Sequence, residues 1–87
     1  MDTQGRHSMH LYGYSENSNE DEPMAIGEVT VAASPATLRM LAEFLLYVAE
    51  KMDRHGSAFG HEHFSDYARE MRSFPAFIVV RDTGEGL

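Results

Sequence analysis

The chain has no cysteine. That alone excludes a disulfide framework and any thiolate metal site. Long apolar runs are missing too. The longest without a proline, Phe44 to Ala49, is six residues, against the ~18 that a membrane span needs. The opening residues, Met1 to His7, carry no basic-then-apolar signal pattern, so a cytoplasmic protein with no membrane role is expected. The seven glycines are scattered, which leaves no glycine-rich loop to cradle a phosphate. Basic residues are scarce: seven Lys and Arg stand against fourteen Asp and Glu, for a net charge of −7. A negative field of that size repels phosphate backbones and argues against nucleic acid as a partner. Taken alone, the acidity serves solubility. It also favours a basic protein partner, because opposite fields steer encounter.

What is present is enough for one small core. At 87 residues and 9.8 kDa, the folded chain should expose about 5,200 Å² of the roughly 14,000 Å² exposed when unfolded. Two domains do not fit that size. A hydrophobic fraction of 43% excludes wholesale disorder. A single domain over residues 1–87 is expected, with 1–6 and 82–87 as loose tails.

His7 to Tyr14 reads as a strand, with Met9 and Leu11 alternating against His10, Tyr12 and Tyr14. Ser15 to Pro23 is an acidic, turn-rich loop with nothing to contribute to a core. Ile26 to Ala33 reads as a second strand, Val29 and Val31 on one face and Glu28 and Thr30 on the other. Neighbours in sequence pair most simply as an antiparallel hairpin.

A helix follows from Pro35 to His55, about 31 Å long. Ser34 is a good N-cap, and proline at the first helical position gives up an N–H that has no partner there anyway. Gly56 suits the residue just past the end. On a helical projection Leu38, Leu41, Ala42, Leu45, Val48, Ala49 and Met52 share a face, and Phe44 and Leu46 widen it to roughly 200°. That is about twice the stripe one small sheet covers. Either the segment after the helix or another chain must cover the excess. Phe64, Tyr67, Ala68 and Met71 have helical spacing within Ser57 to Pro75 and suggest one short turn. Ala76 to Arg81 closes the chain as a strand whose Phe77, Ile78, Val79 and Val80 imply burial on both faces. The expected fold is α+β in the order β-β-α-β. Its three-stranded, mainly antiparallel sheet, with strand order 2-1-3 or 1-2-3, carries one long helix packed on one face.

Chemistry concentrates in Gly60 to Asp66. In an extended chain His61 and His63 project to one side, and with Glu62, Asp66 or His55 they could hold zinc. His-x-His has no mechanism of its own, whereas a helical His-Glu-x-x-His supplies a base with its ligands. The plainer reading is therefore a structural or partner-binding segment, with no metal and no cofactor. Ser57, Ser65 and Ser73 lie near histidines but in no nucleophile elbow. The carboxylates of Glu20, Asp21 and Glu22 make the acidic loop either a solvated connection or a clamp for a basic surface. With His61, Glu62, His63 and Asp66 they form the candidate partner-binding set.

His10-Leu11-Tyr12-Gly13-Tyr14-Ser15, Ser34-Pro35 opening a Leu-rich helix, Phe59-Gly60-His61-Glu62-His63-Phe64-Ser65-Asp66 and the closing Ile78-Val79-Val80 together resemble the immunity protein 32 family of bacterial polymorphic toxin systems. The resemblance runs from about residue 7 to 81 and departs at Tyr67 to Phe74, where Arg69, Met71 and Arg72 look less loop-like. It implies a small α+β protein that is not an enzyme and neutralises a cognate toxin by binding it. No catalytic residues carry over. Two other readings stand beside it: a small metal-dependent enzyme built on His61 and His63, and an oligomeric accessory protein. The surplus apolar surface, with Met40, Phe44 and Tyr47 on its outer flank, suggests a two-fold homodimer. The competing account has Phe59, Phe64, Tyr67, Met71 and Phe74 fold back over it.

Overall fold

The computed structural model describes residues 7–15 and 25–82. The expected tails, apart from Asp82, and Glu20, Asp21 and Glu22 of the acidic loop lie outside them. The architecture is α+β, with one long helix and two separate two-stranded antiparallel sheets.

The hairpin forms as its alternation predicts. Strand β1 (Met9–Ser15) pairs antiparallel with β2 (Ile26–Ala33), in a register that sets Met9 against Ala33, Leu11 against Val31 and Gly13 against Val29. These pairs share one face. His10 with Ala32 and Tyr12 with Thr30 share the other. Met9 is fully buried, but every residue from Ile26 to Ala32 is exposed.

Helix α1 spans Pro35–His55, with the expected ends. Ser34 Oγ accepts the Thr37 N–H at 3.2 Å, satisfying one of the donors a helix start leaves open. Gly56 takes φ +53° and donates its N–H to the Met52 carbonyl, a backbone shape in which a side chain would be strained. The buried face of α1 is Thr37, Leu41, Phe44 and Val48. Compared with the predicted core face, this is a rotation. Leu38, Ala42, Leu45 and Ala49 are exposed, while Phe44, placed at the margin by the projection, is the centre. A 200° arc contains two candidate core faces, and tertiary packing chose between them.

The sheet differs from expectation. Residues Ile78–Val80 form β4, which pairs with a strand absent from the sequence reading, β3 (His61–His63). Neither order, 2-1-3 or 1-2-3, is adopted, and no three-stranded sheet forms among the described residues. A His-Glu-His tripeptide has neither the length nor the β-branched content that marks a strand. It is extended because β4 supplies the partner for its backbone. Nor is β4 buried on both faces: Val79 turns inward, and Ile78 and Val80 are 49% and 40% exposed.

Between β3 and β4 lie the short α2 (Phe64–Tyr67) and a 3-10 turn over Arg69–Ser73. This stretch folds back on α1, the account that competed with the dimer. Phe64, Ala68 and Met71 are buried, and Phe59, Phe74 and Phe77 pack around them. The resulting core is Met9, Leu41, Phe44, Val48, Phe64, Ala68 and Met71.

Candidate functional site

Two-residue periodicity divides β3 between two surfaces. The His61 and His63 rings stand 5.0 Å apart, edge to face, on its outer side. Across the ladder His61 is paired with Val80 and His63 with Ile78, so two imidazoles and two exposed aliphatic side chains share one face. Glu62, between the histidines, is paired with inward-turning Val79. Its carboxylate forms an ion pair with Lys51 on the last turns of α1. The sequence reading grouped Glu62 with the histidines, but the strand places it on the opposite side. Asp66 is exposed on α2.

The Lys51–Glu62 pair ends a row of aromatic contacts. The Lys51 ammonium lies 5.5 Å from the Tyr47 ring centre. Tyr47 meets Tyr67 at 5.1 Å, Tyr67 meets Phe44 at 5.5 Å and Phe44 meets Phe64 at 5.1 Å. The row locks the β3–α2 segment to α1, so the outer face of β3 and β4 rests on a packed body. The Lys51 pKa is raised above the usual 10.5, chiefly by its hydrogen bond to Glu62 and then by Tyr47. Arg81, just past β4, donates through Nη2 to the Met52 carbonyl at 2.9 Å, placing a cation at the negative end of α1. Its Nε is buried and finds no acceptor among the described residues.

No three His, Asp or Glu side chains among the described residues form a group able to hold a metal ion. His55, Glu62 and Asp66 therefore do not complete a ligand set with His61 and His63. No helix among the described residues is long and apolar enough to cross a membrane.

The sequence reading missed a second surface feature. Ile26, Val29 and Val31 on the hairpin and Leu38, Leu45 and Leu46 on α1 are all exposed. The overlong apolar arc was the signal for it, although the outer flank was assigned to the wrong side. Met40 and Tyr47 are half-buried and Phe44 fully buried.

Over residues 28–82 the sequence matches the family model described as Immunity protein 32. The match takes in most of β2, all of α1 and both strands of the second sheet. It leaves out the segment His10 to Ser15, on which part of the expected resemblance rested. No curated protein and no solved structure matches the chain.

Proposed function

The chain belongs to the immunity protein 32 family, and on that premise we propose that it is a non-enzymatic binding protein that neutralises a cognate bacterial toxin by direct contact in the cytoplasm. The family match over residues 28–82 carries the reading. The net charge of −7 supports it, favouring a toxin domain with a basic surface. The contact surface is the outer face of β3 and β4, where His61, His63, Ile78 and Val80 combine polar and apolar groups on a rigid support; Asp66, exposed on α2, adds a carboxylate. Glu62 acts from beneath by holding β3 to Lys51. Glu20, Asp21 and Glu22 add the long-range attraction.

The test is co-expression with the product of the neighbouring gene, read as growth rescue and as co-purification of the two chains. Replacing Glu20, Asp21 and Glu22 together by Ser should slow association and flatten its salt dependence without changing the melting temperature. The double variant His61→Ala with Ile78→Ser should speed dissociation instead. Absence of both complex and rescue overturns the proposal.

A further inference from the structure

The hairpin alternates as a strand pair with one buried face should. His10, Tyr12, Thr30 and Glu28 share the face that also carries Ala32, while Leu11, Val31, Val29 and Ile26 share the opposite, apolar one. Ile26 belongs to that face because its Cδ1 would lie 3.3 Å from a Cβ at Gly13. The chain's own core covers the base of this face, at Met9, Leu11 and Ala33. Beyond it the face opens: Val31 is 37% exposed, Ile26 46% and Val29 60%. A sheet face of this composition ordinarily lies against a helix.

A helix lacking a sheet is present on the same molecule. Leu38, Ala42, Leu45 and Ala49 follow one another at steps of four, three and four, the spacing of a packing seam. All four are exposed, with Leu46 flanking them at 71%. The seam is about 16 Å long at the helical rise. The hairpin stretch from Ile26 to Val31 is about 17 Å long at the strand rise. Each surface is what the other lacks, and their lengths agree. They do not meet within one chain, because Ser34 alone joins β2 to α1 and only the hairpin base reaches the core.

The geometry points to a two-fold homodimer in which each copy lays the Ile26–Val29–Val31 face of its hairpin on the Leu38–Leu45 seam of the other. Reciprocal contact of two different patches is what a two-fold axis provides. Ile26, Val29, Val31, Leu38, Leu45 and Leu46 together expose roughly 500–600 Å² per copy, so covering them fully in two copies would bury about 1,000–1,200 Å², the lower bound of a specific interface. None of the six is charged. A basic partner steered by the −7 field would gain nothing from charge here, whereas a second copy is complementary by shape and apolarity. The surface is separate from the outer face of β3 and β4, so dimerisation does not depend on the toxin-binding proposal.

The experiment is sedimentation equilibrium of the full chain from about 1 to 100 μM, with no partner present. The expected mass is twice 9.8 kDa. Val29→Glu and Leu45→Glu, each at an exposed position, should each raise the dimer dissociation constant at least tenfold while leaving the circular dichroism spectrum unchanged. The absence of native cysteine makes a cross-link unambiguous. Mixed Val29→Cys and Leu45→Cys chains should form a disulfide between copies, and Val29→Cys alone should not. A mass of 9.8 kDa across the whole range overturns the proposal. So does a dimer that survives both Glu variants, or a Val29→Cys chain that links to itself. A monomer whose Val29→Glu variant loses the neighbouring gene product would overturn it in favour of the toxin as occupant.

Discussion

The hairpin and the body of the molecule hold together in opposite ways. The β1–β2 ladder pairs seven residues of β1 with β2, yet only Met9 at its base is fully buried. The β3–β4 ladder has three pairs, yet the segment it frames supplies Phe64, Ala68 and Met71 to the core. Regular hydrogen bonding and burial are thus distributed separately. Backbone hydrogen bonds exchange with water and contribute modestly in net terms, and a lone two-stranded hairpin is marginal in water. The more regular element should therefore be the less stable one. Besides the chain itself, it is tied to the body by Met9, with Leu11 and Ala33 packed beside it, by the Ser34 N–H to the Ser8 carbonyl at 3.2 Å and by the Ser8 N–H to Thr37 Oγ1 at 3.0 Å.

Substitutions can sharpen or break this contrast. The largest effect belongs to the body. Phe44→Ala removes a fully buried ring in contact with Phe64 and Tyr67 and should cost about 3–5 kcal/mol in urea unfolding. A cost below about 1 kcal/mol would mean that the body is not the stable part.

Next is the tie between the two regions. Thr37→Val keeps the shape of a fully buried side chain but removes the acceptor for the Ser8 N–H. About 1–3 kcal/mol should be lost. Amide exchange should then accelerate in β1 and β2 before it does in α1. Uniform acceleration would instead make the hairpin and body one cooperative unit.

The hairpin face comes third. Val29→Ser, at concentrations where the chain is monomeric, should change unfolding by no more than about 0.5 kcal/mol, because Val29 is already mostly exposed. A larger loss would show that the face is covered within one chain.

The smallest effect lies at Lys51. Its pKa is raised in the folded protein by Glu62 and Tyr47. The pair's contribution is therefore fully present below the unfolded value of 10.5 and is lost as pH rises through the higher folded value. Lys51→Met should lose this alkaline step from its melting temperature against pH while retaining the fold. An unchanged alkaline profile would remove the pair from the contacts that hold β3.

The features legible beforehand were those set by neighbours in sequence. Ser34-Pro35 and Gly56 determine both ends of α1, because capping is settled within a few residues. Alternation determined the hairpin and its two faces, and also that His61 and His63 share a side once extended. Tertiary structure decided the rest. A helix with an apolar arc of about 200° has no preferred core face of its own, and α1 turned Phe44 inward because Phe64 and Met71 fold back to meet it. The strand at His61–His63 exists through its ladder with β4, and the pleat of that strand then delivers Glu62 to the side where Lys51 stands. Both contacts join residues far enough apart that no local pattern records them. The sequence therefore determined the ends of α1 and the alternation of the hairpin, whereas the strand at β3 and the choice of which face is buried were left to packing, since burial is a property of what lies opposite.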